Sequence, residues 1–105
     1  MGPYRVFMTR SAAEDLTDIS IYIRDEIREP VTAIKLVEKI KVAVMSLALY
    51  PMRHNLVADE HLAAQGFRKI IIDNYIAFYI VSEKEQIVTV VRILYGKRDW
   101  LHLLE

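Results

Sequence analysis

Tyr4, Val6 and Met8 alternate with Arg5, Phe7 and Thr9 between Pro3 and Ser11, a short and imperfect period-two pattern that predicts a first β-strand. Ser11-Ala12-Ala13-Glu14 then reads as a capping box: the Ser11 hydroxyl accepts from a backbone N–H and Glu14 reaches back. A helix is expected to start there. Ala12, Leu16, Ile19, Ile23 and Ile27 recur at intervals of four, three, four and four residues, which places them on one stripe of a 3.6-residue period. Glu29-Pro30 interrupts the stripe, because proline disfavours helical geometry in the residue before it and suits the first turn of a new helix. From Val31 a second helix repeats Ala33, Val37, Ile40, Val44 and Leu47, with another apolar line through Leu36, Val42, Met45 and Leu49. Such a helix is covered on more than one side, and it ends at Tyr50-Pro51. So short a link between the two predicts an antiparallel helical hairpin.

Residues 51–66 show no sustained periodicity and read as a long loop of the kind that often carries function. Phe67–Ile72, Tyr75–Val81 and Ile87–Tyr95 follow, rich in Ile, Val, Phe and Tyr and separated by Asp73-Asn74 and Ser82–Gln86. These predict a three-strand meander. In Tyr75–Val81 both faces are apolar, with Tyr75, Ala77, Tyr79 and Val81 on one and Ile76, Phe78 and Ile80 on the other. The hairpin covers one face; either the tail and the long loop close the other, or a partner chain does. The tail from Asp99 to Leu104 fits one helical turn or an extended plug equally well. The expected fold is α+β: an N-terminal strand and an antiparallel helical hairpin packed on a small, mostly antiparallel four-stranded sheet, as a single domain over residues 1–105.

Composition narrows the classes. With 105 residues and 53% hydrophobic positions, the chain can bury a core without staples, and disorder is excluded except at the ends. The absence of Cys removes thiolate catalysis and Cys-based zinc sites. The longest apolar run, the seven residues Tyr75–Val81, is far short of a membrane span. The N-terminus has no apolar segment before a small-residue cleavage site, so the expected location is cytoplasmic. Fourteen Lys and Arg balance fourteen Asp and Glu, but the charge is segregated. Residues 14–29 hold six acids against two arginines, a net of −4, and residues 30–53 hold four bases against Glu38, a net of +3. Two solvated helix faces that attract each other explain this, and so does a side that faces a polyanion.

Most catalytic constellations are missing. His54, His61 and His102 lack metal-ligand spacing, and Gly2, Gly66 and Gly96 lie too far apart for a phosphate-binding loop. Ser11, Ser20, Ser46 and Ser82 have no histidine nearby in sequence to support a nucleophilic triad. The basic residues of the sheet remain: Arg68 and Lys69 open the second strand, Arg92 sits in the fourth, and Tyr95-Gly96-Lys97-Arg98-Asp99-Trp100 follows. Arg92 breaks the apolar line through Val88 and Val90, so it is either paired, with Asp99 or Glu38 as candidates, or used.

The ordered set resembles the RelE/ParE superfamily of type II toxins over nearly the whole chain. The matching pieces are Tyr4-Arg5-Val6, Ala13-Glu14-Asp15-Leu16 with Tyr22-Ile23, Leu47 to Pro51, Gly66-Phe67-Arg68, Tyr75-Ile76 through Tyr79, and Val91 to Asp99. The resemblance implies a small growth-inhibiting toxin of the plasmid-stabilisation type, without cofactor or metal and with no membrane partner. A cognate antitoxin would neutralise it by wrapping it with a helix and an extended segment, and a homodimer or a toxin–antitoxin heterotetramer is implied as the assembly. Expected antitoxin contacts are Ile76, Phe78, Ile80, Lys97, Trp100 and Leu103. RelE-like members cut mRNA on the ribosome and ParE-like members poison DNA gyrase. Metal-independent RNA cleavage needs a base, a proton donor and cations on the phosphate. The resemblance assigns these roles to Arg68, Lys69, Arg92, Tyr95 and Arg98 if the chain is RelE-like. One position departs: RelE-like nucleases carry an arginine shortly after the turn into the third strand, where Ile76 stands here, and Trp100 and His102 match the C-terminal acid only loosely. With the long hairpin, this favours a ParE-like toxin over a RelE-like nuclease or an inactive partner-binding relative.

Overall fold

The structure, a computed structural model, describes residues 3–97 and 100–104, and of Leu101 and His102 only the backbone. Arg5–Met8 form β1. The first helix, α1, spans Arg10–Ile21 and is capped by Thr9, whose side chain accepts from the Ala12 N–H at 3.0 Å. The expected capping box at Ser11 is therefore displaced by two residues. Thr9 wins because its hydroxyl also donates to Val91 O at 2.7 Å and so ties the start of the helix to the sheet. Replacing Thr9 by Ala is expected to cost about 1–2 kcal/mol. Thr9→Ser should keep most of that stability, and a thermal melt in which both variants fall equally would assign the effect to the methyl group instead.

After Ile21 the helix widens into one π-type turn, Tyr22–Glu26, closed by Ile27 N donating to Tyr22 O at 3.1 Å. Arg28 takes a positive φ of 62°, the corner turns, and α2 runs Pro30–Met45 with proline in its first turn, as its fixed φ allows. A 3₁₀ turn, Ser46–Ala48, follows. The Arg53 guanidinium donates to the carbonyls of Ser46, Leu49 and Tyr50 and to Ser46 Oγ, satisfying acceptors that the helix end leaves open. The segment expected as a loop holds a 3₁₀ turn, Pro51–Arg53, and a helix too short to show a period, α3 at Glu60–Ala64, capped by Asp59 accepting from Leu62 N at 2.9 Å.

The meander stands as expected: β2 Arg68–Ile72, β3 Tyr75–Ser82 and β4 Ile87–Tyr95. The sheet order is β1-β4-β3-β2, antiparallel except for β1, which pairs parallel to β4. A bulge shifts the register in mid-sheet: Phe78 opposes Arg92 while Tyr79 opposes Val90, leaving Val91 as the extra residue. Simple alternation puts Arg92 on the face of Val88 and Val90; the bulge hands that place to Ile93, which is buried in the first core with them.

That first core lies between the hairpin and the sheet, where Ala12, Leu16, Ile23, Leu36, Ile40 and Val44 meet Ile70, Ile72, Ala77, Tyr79, Val88 and Val90. A second core occupies the other face. There Val57, Leu62 and Phe67, from the loop and α3, and Leu104, from the last helix α4 (Leu101–Leu104), cover Ile76, Phe78 and Leu94. The tail is thus one helical turn, and the chain's own loop and tail close the face that Ile76 and Phe78 present. No helix of the described residues is long and apolar enough to cross a membrane.

Candidate functional site

Cations gather where the segment after α2 runs beside the edge strand β2. Arg68 Nη1 donates to His54 O at 2.7 Å and to Met52 O at 3.3 Å, the Tyr79 hydroxyl donates to Pro51 O at 2.5 Å, and Lys69 N donates to Asn55 O at 3.2 Å. These bonds pin the segment so that Arg53, His54 and Asn55 border a shallow cavity of about 330 Å³ together with Lys69, Ile70 and Ile71. Arg68 and Arg53 are both spent on backbone carbonyls. Among the described residues nothing engages the Lys69 ammonium, which leaves it the free cation of this corner. The corner suits contact with an anionic surface.

Among the described residues His54 Nε2 is buried with no hydrogen-bond partner, and burial, then the charge of Arg53, lowers the His54 pKa below the ordinary histidine value. A pKa lowered on folding means that the unfolded chain binds the extra proton first. The stability contributed by neutral His54 is therefore complete above pH 6.5 and is lost as pH falls from there towards the folded value. The unfolding midpoint is expected to drop as pH falls below about 6.5. His54→Gln should flatten that slope, and an unchanged slope would remove His54 as its source.

Arg92 is paired, though not with Glu38, which is exposed on α2; the other candidate, Asp99, lies outside the described residues. Its partner is Asp15 on α1. The two forks meet at 2.7 Å (Nε to Oδ2) and 2.8 Å (Nη2 to Oδ1), with side chains only 21% and 12% exposed. The hydrogen bonds from Arg92 to Asp15 raise the guanidinium pKa above its ordinary value. Asp15 Oδ2 also accepts from Ile93 N at 2.9 Å. Because β1 stops opposite Val90, the edge of β4 beyond it has no strand partner there, and Thr9 and Asp15 fill the vacancy.

Tyr95 is exposed and packs edge-to-face on Tyr75, with ring centroids 5.7 Å apart. Its register partner Tyr75 stands four residues, about 13 Å, along β3 from Tyr79, the partner of Arg68. Arg92 on β4 is separated from β2 by β3, about 10 Å across the sheet. Lys69 pairs with Phe78 and so emerges on the face opposite Arg68. Arg68, Lys69, Arg92 and Tyr95 are therefore not brought together, and Arg98 lies outside the described residues. Of the expected partner contacts, Ile76 and Phe78 are buried, Ile80, Trp100 and Leu103 are half-buried against them, and Lys97 is exposed just past β4. Sequence reasoning assigns no role to Asp15, His54 or Tyr79. Asp15 sits one position before the core residue Leu16, which marks it as near the sheet without naming Arg92 as its partner.

A family model described as the ParE toxin of the type II toxin–antitoxin system parDE matches residues 6–100. Sequence comparison with curated proteins finds no match. Solved structures share the fold, among them these three. A chain of the chromosomal ParDE system of P. aeruginosa superimposes with a TM-score of 0.73 at 22% identity, over 90% of this chain and 97% of that one. A chain of the RelBE2 toxin–antitoxin complex of Mycobacterium tuberculosis gives 0.62 at 20% identity, over 90% and 93%. A chain of the archaeal RelE–RelB complex of Pyrococcus horikoshii gives 0.53 at 11% identity, over 91% and 98%. With nearly its whole length matched by the family model and the same strand, hairpin and four-stranded mixed sheet, the chain belongs to the ParE toxins of type II toxin–antitoxin systems, within the RelE/ParE superfamily.

Proposed function

We propose that this chain is the growth-inhibiting member of a cytoplasmic two-protein module, held inactive by a cognate antitoxin and, once free, directed at DNA gyrase. The match of residues 6–100 to the ParE family carries this reading. Two further observations support it: Arg92 is committed to Asp15, and the side chains that RNA cleavage would need on one phosphate are spread over both faces and both ends of the sheet. The solved complexes of P. aeruginosa, M. tuberculosis and P. horikoshii pair toxins with antitoxins, which supports the same kind of partner here. The test is a reaction of purified chain with gyrase, ATP and plasmid. Gyrase-dependent cleaved DNA is expected, and its absence at saturating protein counts against the target.

A second reading, ribosome-dependent mRNA cleavage, draws on one observation, the free Lys69 ammonium in the basic corner beside Arg53. Primer extension on a reporter message in cell-free translation separates the two. Cuts that appear only on translated message and vanish with Lys69→Ala would establish the nuclease and overturn the gyrase reading.

A further inference from the structure

α2 is apolar on two opposite sides. Its inner line, Ala33, Leu36, Ile40 and Val44, is buried against the sheet. On the outside, Val31, Ile34, Val42 and Met45 are 61–70% exposed. At about 100° per residue, all four fall within roughly 40° of a line through Glu38. That line is symmetric about Glu38: Val31 and Met45 each lie seven residues away, Ile34 and Val42 four, and Lys35 and Lys41 three. The three charged residues are exposed, and none forms an ion pair among the described residues.

We propose that the outer face of α2 pairs with the same face of a second copy of this chain, antiparallel, about a two-fold axis at Glu38. Symmetry of this kind is what a self-complementary contact demands, since whatever a residue touches must touch it back. Laid antiparallel, the two helices set Val31 against Met45 of the second copy and Ile34 against Val42. Each Glu38 then lies one turn from Lys35 and Lys41 of the other copy, so that four ammonium groups surround the two carboxylates at the centre. A helix from an unrelated partner would impose no such symmetry. The face is about 24 Å long and one helix wide, less than the roughly 800 Å² per partner of a standard interface. The dimer is therefore weak, with a dissociation constant on the order of 10 μM.

Sedimentation of the full chain from about 1 to about 300 μM brackets that constant. The mass is expected to climb from 12.2 kDa towards twice that value. The double variant Ile34→Glu, Val42→Glu should stay monomeric at every concentration with an unchanged thermal melt, because both positions are exposed. Glu38→Lys, which replaces the two carboxylates by charges like those of the four ammonium groups around them, should weaken association about tenfold or more. The register is tested separately, since the chain contains no Cys. Under mild oxidation Glu38→Cys should cross-link to itself, while Ile34→Cys should cross-link to Val42→Cys and not to itself. A chain that is monomeric throughout overturns the proposal, as does a dimer untouched by the double variant. So does self-cross-linking of Ile34→Cys as readily as of Glu38→Cys, the mark of a parallel pair.

Discussion

Replacing Phe78 by Ala is expected to cost about 3–5 kcal/mol, the range for deleting a fully buried aromatic side chain. Phe78 has no exposed surface and sits in the second core with Ile76, Leu94 and Leu104. Its ring lies 4.7 Å from that of Trp100, so the substitution removes both the floor of this core and the contact that seats the tail. For a domain of this size the loss amounts to a fall in Tm of about 15 °C or more. Trp100 is the sole tryptophan, and its emission should shift to the red as the tail loosens, ahead of the global transition. Phe78→Leu, which refills most of the volume, should lose far less. A Phe78→Ala chain that melted within about 2 °C of the wild type would mean that this face is no core. The result bears on function. Phe78 and Ile76 are candidate antitoxin contacts, yet the chain's own tail lies over them. A partner that reaches them must first lift Trp100, and the same emission shift would report it.

Asp15→Ala should cost about 3 kcal/mol, although Asp15 lies outside both apolar cores. It strands two groups at once: the Arg92 guanidinium, only 21% exposed, loses both of its carboxylate bonds, and Ile93 N–H loses its acceptor at the β4 edge. Asp15→Asn keeps one acceptor oxygen and should lose less. Arg92→Ala should also lose less than Asp15→Ala, because Asp15 then still holds the Ile93 N–H and faces some solvent. A double-mutant cycle on the two residues, read by denaturant unfolding, should give a coupling of about 1–3 kcal/mol. Independent, additive losses would show that the pair is incidental to the fold. If Arg92→Ala left the toxin's effect on growth intact at matched stability, Arg92 would have no part in the activity.

Much of the architecture is legible along the chain, because it is written in local repeats. The apolar stripe of α1, the Glu29-Pro30 corner and the strand runs divided by Asp73-Asn74 and Ser82–Gln86 each depend on neighbours a few residues away. The first helix is capped two residues before the expected cap because Thr9 and Ser11 both suit that role, and the choice between them is made by Val91, eighty-two residues further on. The five residues of α3 span too little chain to show a helical period. The candidate site is less legible still. Alternation places Arg92 among Val88 and Val90, and only the bulge at Val91 turns it towards Asp15.

The α+β class, the order of elements, the superfamily and the conflict posed by a strand apolar on both faces can all be read from the chain alone. They follow from periodicity, turn chemistry and composition, which act over short stretches of chain. Other features exist only once the chain is folded: the second face is closed by α3 and α4, Arg92 belongs to Asp15, Arg68 holds the carbonyls after α2, and among the described residues Lys69 stays free and the outer face of α2 is left without cover. Each of these depends on which distant groups meet. That is set by register, by the bulge and by the need to pair buried polar groups, and none of these leaves a mark within a window of sequence.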